Sequence, residues 1–180
     1  MKWVLTLLIA AVASGQQLDL SQLDKLAARA KSSVNVTLDE DKLRFASAFL
    51  STEDPNQSAA KNLVGGLKAI NVRVFEFDEP GQVSQSDLDG IRSQLKGAGW
   101  SKLIEAKDRD ESAEVYMFSK GKEFAGLAII ASEKRELAVV NIVGPVDIKT
   151  LGSLAGKFGI PKDLGIPLPK TVTPPNKKND

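Results

Sequence analysis

The chain has 180 residues, of which 42% are hydrophobic and 26% charged, and its formal net charge is +1. It contains no histidine and no cysteine. These absences exclude Ser-His-Asp and Cys-His catalysis, thiolate chemistry, and zinc or haem sites built from the usual His and Cys ligands. The balanced charge provides no long-range attraction to nucleic acid or to an anionic membrane.

The N-terminal segment is typical of a secretory signal peptide. Lys2 precedes an apolar run over residues 3–13, and small residues follow as far as Gly15. The run is too short to span a hydrocarbon layer of ~30 Å. We therefore assign residues 1–15 to a signal peptide cleaved after Gly15, with cleavage after Ala13 as the alternative. No cysteine follows for a lipid anchor, so we expect a soluble periplasmic or extracellular protein without stable membrane insertion.

The mature chain begins with a predicted helix and strand. Asp19 or Ser21 can cap the helix, and the α-helical period places Leu20, Leu23, Ala27 and Ala30 on one face, with Leu26 beside them. Residues 34–38 then alternate apolar and polar side chains, which predicts a strand with one buried face.

Two further helices are predicted before residue 70. Asp39 or Asp41 starts the first, and Pro55 opens the second because proline suits the first helical position. The apolar side chains expected to face the core are Leu43, Ala46, Phe49 and Leu50 in one helix, and Ala59, Ala60, Leu63, Val64 and Leu67 in the other.

Residues 70–77 form a predicted strand whose apolar pattern changes phase between Val74 and Phe75. Either a bulge or burial on both faces accounts for this change. A helix beginning at Ser84 or Ser86 follows, and glycines at 97 and 99 end it. Its inward side chains are Leu88, Ile91 and Leu95.

The second half of the domain is rich in strands, predicted at residues 100–106, 113–119, 124–131 and 137–143. Hairpin-length connections make the last three an antiparallel meander, in which the apolar run 127–130 is the central strand. Asp147 caps a last helix with Ile148, Leu151, Leu154 and Ala155 toward the sheet. The proline-rich residues 159–180 form a predicted disordered tail.

The order of elements predicts one α+β domain over residues 16–158. Its sheet is mixed or antiparallel, and its helices pack mainly on one face.

Five motifs carry a resemblance to a known family. They are Ile-Asn-Val-Arg-Val-Phe at 70–75, Leu-Lys-Gly-Ala-Gly-Trp at 95–100, Val-Tyr-Met at 115–117, Phe-Ala-Gly-Leu-Ala-Ile-Ile at 124–130 and Val-Val-Asn-Ile-Val-Gly-Pro-Val-Asp at 139–147. In order and spacing the chain resembles the bacterial DUF4252 family over residues 20–158. The resemblance implies a small exported protein of the cell envelope, accessory to envelope signalling, and brings no catalytic residues.

Two Ser-x-x-Lys motifs are the catalytic candidates, Ser58 with Lys61 and Ser93 with Lys96. This spacing puts a hydroxyl one helical turn from a lysine that could act as a base when neutral. The companion Lys-Thr-Gly is missing, since Lys149-Thr150 is followed by leucine. We therefore assign no catalytic residue.

Metal and cofactor sites are not assigned either. The acidic stretch 108–111 with Glu114 invites a calcium interpretation, but an EF-hand would need glycine at Ala113 and glutamate at Ser119. Residues 97–99 end a helix and do not form a phosphate loop. Trp100 and Tyr116 are interpreted as core or sheet-edge anchors.

The sequence thus favours a non-enzymatic exported binding module whose partner is an envelope protein or a small ligand, contacted through an exposed face or edge of the sheet. The alternative is a hydrolase with a Ser-Lys or carboxylate site. It would need Lys61 or Lys96 buried against its serine in a pocket. The sequence identifies no ligand-binding residue.

Overall fold

The structure, a computed structural model, describes residues 16–145, apart from the side chains of residues 55, 56, 59 and 63. The predicted signal peptide, the helix starting at Asp147 and the tail at 159–180 lie outside the described residues.

Helices come first along the chain and strands dominate later. A 3₁₀ helix over Ser21–Ala28 is followed by β1 (Ser32–Asp39), α1 (Glu40–Ala48), α2 (Pro55–Gly66), β2 (Ala69–Glu76) and α3 (Gln85–Gln94). The remaining strands are β3 (Trp100–Lys107), β4 (Ser112–Lys120), β5 (Glu123–Ser132) and β6 (Glu136–Val143).

The strands form one six-stranded sheet in the order β1, β2, β6, β5, β4, β3. Every neighbouring pair is antiparallel. The predicted α+β class and the C-terminal meander are therefore confirmed. β6 returns from the meander to pair with β2, which places β6 and β5 at the centre of the sheet and β1 and β3 at its edges.

Helices cover both faces of the sheet. The 3₁₀ helix and α3 cover the face that carries Phe75, Val139 and Ile130. Residues of α1 and α2 pack on the opposite face, around Ile142. The helices are thus divided between the faces and do not lie mainly on one, because the central strands are apolar on both sides.

The first helix has a period of three residues where the sequence predicted 3.6. Leu20, Leu23 and Leu26 are all buried, whereas Ala27 is exposed. A 3₁₀ helix aligns side chains three apart, so the leucines make the core contact. The apolar face predicted from Ala27 and Ala30 was wrong for Ala27, and Ala30 packs only at the margin of the core.

The change of phase in β2 comes from burial on both faces. Its register is unbroken against both β1 and β6, so the strand contains no bulge. Phe75 is 2% exposed on the face covered by the 3₁₀ helix and α3. Val74 is partly buried on the other face.

A buried amide ties the first described residues to the centre of the sheet. Asn141 of β6 is fully buried. Its Oδ1 accepts from the Leu18 N–H at 3.0 Å, and its Nδ2 donates to the carbonyl oxygens of Gln16 at 3.1 Å and Leu127 at 3.3 Å. The segment before the 3₁₀ helix is therefore part of the folded domain.

Candidate functional site

Glu114 on β4 is a buried carboxylate surrounded by donors. Its Oε1 accepts from Arg92 of α3, at 2.9 Å from Nε and 2.6 Å from Nη2. Its Oε2 accepts from the Tyr116 hydroxyl at 2.6 Å and lies 3.1 Å from Nζ of Lys102. Both oxygens are thus occupied by groups from α3, β3 and β4.

The donors keep Glu114 ionised. Burial alone would raise the pKa of Glu114, but the hydrogen bonds from Tyr116, Arg92 and Lys102 outweigh it and lower that pKa. Burial and the Glu114 carboxylate raise the pKa of Tyr116. A carboxylate with a lowered pKa and both oxygens occupied is suited to joining α3 to the sheet.

Asp87 is a second buried carboxylate, near the start of α3. Its Oδ2 accepts from the N–H and hydroxyl of Ser84, at 2.9 and 2.7 Å, and from Arg29 Nη2 at 2.7 Å. Its Oδ1 lies 3.0 Å from Nζ of Lys25. Burial would raise the pKa of Asp87, but these contacts lower it strongly. The cluster fastens α3 to the 3₁₀ helix.

The Ser-x-x-Lys candidates lie on α2 and at the end of α3. Lys61 Nζ donates to the Leu50 carbonyl at 3.2 Å, and the Ser93 hydroxyl donates to the Asp89 carbonyl of its own helix at 2.7 Å. Lys96 is exposed. Within residues 16–145, neither serine hydroxyl bonds to its lysine.

The acidic stretch 108–111 forms the turn between β3 and β4. The Asp108 N–H donates to the Glu111 carbonyl at 2.9 Å, and Asp110 pairs with Lys134 at 3.1 Å. Glu114 faces the α3 side and belongs to the cluster with Arg92. Among the described residues, no group of three or more acidic side chains is arranged to hold a metal ion.

The two aromatic anchors have core positions. Trp100 is partly buried and packs edge-to-face on Phe118, with ring centroids 5.2 Å apart. Tyr116 is buried beneath α3. Gly99 has φ of +94° and lies so close to the Phe118 ring that a Cβ would clash with it, so this glycine is required for the turn into β3.

β1 is an edge strand of the sheet, and much of it is exposed. Its first four residues, Ser32 to Asn35, are exposed, and Val34 is 51% exposed. Val36 is partly buried. The strand carries no charge between Ser32 and Leu38. It also has no proline, and its register with β2 is regular throughout.

The register shows which backbone groups of β1 are available. Just after β2, the Phe77 N–H donates to the Arg135 carbonyl on the β6 side. The backbone groups of successive residues in an antiparallel strand bond to alternate sides. The N–H and C=O groups of the even-numbered residues of β2 therefore point toward β1. These pair with even-numbered residues of β1, such as Val74 with Val34. The N–H and C=O groups of Ser33, Asn35 and Thr37 therefore point away from the sheet.

The opposite edge, β3, is protected. Its register with β4 shifts between Lys102 and Ile104, which makes Leu103 a bulge. It also carries charges at Lys102, Glu105 and Lys107. Bulges and lysines are the usual means by which an edge strand is kept from pairing with another chain. Of the two edges, only β1 has a regular register, and it is uncharged from Ser32 to Leu38.

The helix that follows β1 adds exposed aromatic surface that the sequence did not predict. Phe45 and Phe49 are 69% and 74% exposed, with their rings edge-to-face at 5.0 Å. Phe49 was assigned to the apolar face of its helix, but α1 ends at Ala48 and Phe49 is its C-cap. Leu43 alone is buried in α1. Such exposed apolar side chains close together are typical of a contact surface.

Comparisons with known proteins identify the family and no activity. A family model described as a domain of unknown function, DUF4252, matches residues 28–154, more than half of the chain. No curated protein matches the chain. Across residues 16–145, no helix is both long and apolar enough to cross a membrane.

Proposed function

Because this chain belongs to the DUF4252 family, whose description assigns no activity, we infer its function from its own surface. It is an exported, non-enzymatic binding module of the bacterial envelope. It contacts another polypeptide chain by strand addition along β1.

The regular, uncharged edge of β1 carries this proposal. Ser33, Asn35 and Thr37 direct outward backbone donors and acceptors that no residue of 16–145 pairs with, and an incoming extended strand requires such groups. Val34, Phe45 and Phe49 supply exposed apolar surface on β1 and the helix that follows it. The β3 edge, in contrast, is interrupted by the bulge at Leu103 and carries three charged side chains.

The polar clusters support a role without catalysis. The two buried carboxylates, Glu114 and Asp87, have lowered pKa values and are occupied by arginine, lysine and hydroxyl donors. The Ser93 hydroxyl is engaged by its own helix. Glu114 and Asp87 are thus used in joining elements of the fold, and Ser93 is held within α3.

Strand addition can be tested by site-specific photo-crosslinking in cells that produce the full chain. A photoreactive amino acid at Asn35 is expected to form an adduct with a polypeptide. The same amino acid at Ser101, exposed on β3, is the matched control and is expected to form none. Absence of an adduct at position 35, or equal adducts at both positions, would contradict binding along β1.

Export rests on Lys2, the apolar run 3–13 and the small residues up to Gly15. N-terminal sequencing of protein recovered outside the cytoplasm is expected to begin at Gln16 or Ser14. Recovery there of a chain that still begins at Met1 would contradict cleavage.

The absence of hydrolase activity has its own test. A serine-reactive phosphonate or β-lactam probe is expected to leave the mass of the mature protein unchanged. Stoichiometric labelling of Ser58 or Ser93, abolished by Lys61→Ala or Lys96→Ala respectively, would show a hydrolase in place of a binding module.

A further inference from the structure

We propose that the polypeptide that pairs with β1 is a second copy of this chain, bound antiparallel about a two-fold axis at Asn35. The inference rests on the proposed use of β1 as a binding edge and names the partner. Pairing of this kind would join the two sheets into one continuous sheet across the dimer.

Charge complementarity selects this partner and this register. With Asn35 on the axis, Lys31 of each protomer lies opposite Asp39 of its partner. These two charges flank the uncharged stretch of β1, so each end of the paired strands brings opposite charges together. Moving the axis to Val34 or Val36 separates Lys31 from Asp39.

Both charged residues already have a neighbour in their own protomer. Lys31 pairs with Glu76 at 3.2 Å, and Asp39 pairs with Lys42. All four side chains are at least half exposed. At each end of the dimer, the Lys31–Glu76 pair of one protomer would meet the Asp39–Lys42 pair of the other. The two basic and two acidic side chains would then alternate, and no like charges would lie opposite each other across the strands.

The backbone fits the same register. Asn35 directs its N–H and C=O outward, so on a two-fold axis it can donate to and accept from Asn35 of the second copy. Ser33 and Thr37 also point outward and lie opposite each other across the axis. Each outward donor of β1 then meets an outward acceptor of the partner's β1.

The side chains match face by face. Val34 lies opposite Val36 of the partner on the face of α1, and Ser33 lies opposite Thr37 on the other face. Val34 is 51% exposed in the protomer, and a β-branched cross-strand pair would cover it. Between Ser33 and Thr37, apolar side chains thus meet apolar ones and hydroxyls meet hydroxyls, while Ser32 lies opposite Leu38 at each end.

The test begins with the mass of the mature chain, residues 16–180, measured by sedimentation equilibrium over a range of concentrations. The expected result is a monomer–dimer equilibrium. Asn35→Pro is expected to weaken association by at least about tenfold, because it removes the hydrogen bonds donated at the two-fold axis. This N–H points away from β2, so proline leaves the β1–β2 pairing intact. Asn35→Ala keeps the N–H and is expected to associate like the parent chain.

Cysteine crosslinking tests the axis independently of how well the proline variant folds. The chain has no cysteine, so Asn35→Cys introduces a single thiol beside its own copy, within the range of Cα separations that a disulfide bridges. Under mild oxidation this variant is expected to form a covalent dimer. Ser101→Cys on β3 is the matched control and is expected to remain uncrosslinked.

The outcomes separate this inference from the proposed function. A chain that stays monomeric, a dimer that Asn35→Pro leaves unchanged, or equal crosslinking from both cysteines would overturn the second-copy assignment. If the monomer nevertheless forms an adduct from position 35 with a different polypeptide in cells, binding along β1 stands and the partner is another protein. If position 35 forms no adduct in cells, the proposed function itself fails.

Discussion

At the residue scale, Glu114 forms ion pairs with side chains of two other elements, Arg92 of α3 and Lys102 of β3. Glu114→Gln would keep the shape of the side chain while removing the ion pairs with Arg92 and Lys102. We expect the free energy of unfolding at pH 7 to fall by about 1–3 kcal/mol, since a charged hydrogen-bond partner is lost at a buried site. Urea unfolding measures this change in the free energy of unfolding. Glu105→Gln, at an exposed position of β3, is the control and is expected to have little effect.

The pH dependence of that difference has a definite sign. The pKa of Glu114 lies below its ordinary value of 4.5 in the folded chain. The ionised carboxylate therefore stabilises the fold fully above pH 4.5, and this contribution is lost as the pH falls toward the lower folded pKa. Urea unfolding of the parent chain and Glu114→Gln should converge below pH 4.5. A gap that widens on acidification would contradict the ion-pair role.

Neighbouring isoleucines on β5 are expected to differ in their contribution to stability. Ile130 is 1% exposed, beneath the 3₁₀ helix and α3, whereas Ile129 is partly exposed on the opposite face. Ile130→Ala should cost about 2–5 kcal/mol, and Ile129→Ala clearly less. Thermal or urea unfolding compares them directly. Equal losses would mean that both faces of β5 are covered to the same extent.

Single positions were predictable where burial follows from a local pattern. The sequence indicated an apolar central strand over 127–130 and anchoring roles in the core or at the sheet edge for Trp100 and Tyr116. It did not indicate that Glu114 would be buried, because its donors come from Arg92 and Lys102 on other elements. It placed Phe49 inward, because the end of α1 at Ala48 could not be located from the apolar spacing alone.

At the element scale, the start of α3 was predicted with two candidates for its cap. The structure assigns the cap to Ser84, whose hydroxyl accepts from the Asp87 N–H while Asp87 accepts from the Ser84 N–H. This reciprocal arrangement is a capping box. Ser84→Ala should lower the free energy of unfolding by about 1 kcal/mol, and Ser86→Ala, the matched control, should change it little. A larger loss of unfolding free energy in Ser86→Ala than in Ser84→Ala would place the cap at Ser86.

The bounds of all the strands in residues 16–145 were predicted to within a few residues, but the order of the strands in the sheet was not predicted. Alternation and hairpin-length turns are local, so they define β4, β5 and β6 as a meander. The return of β6 to β2 depends on side chains far apart in the chain, and no local pattern specifies it. The candidate binding edge could not be predicted for the same reason, since β1 is an edge only because of that order.

At the scale of the whole molecule, the predicted tail provides a test of the domain boundary. The family match ends at residue 154, and five prolines lie between 161 and 175. A chain that stops after Gly159 is therefore expected to melt within a few degrees of the full mature chain. Calorimetry of the two purified chains compares them, and a large loss of stability would show that residues 160–180 contribute to the fold.

The position of β6 between β2 and β5 also governs when the sheet can close. β1 and β2 pair with each other, and β3, β4 and β5 pair among themselves. Within residues 16–145, only β6 connects these two groups. A chain that leaves the ribosome or crosses an export channel from its N-terminus thus holds two partial sheets until residue 143 emerges. Closing such long loops is slow. Completion of the fold is therefore delayed until almost the whole domain has emerged, which suits the export that we propose for this chain.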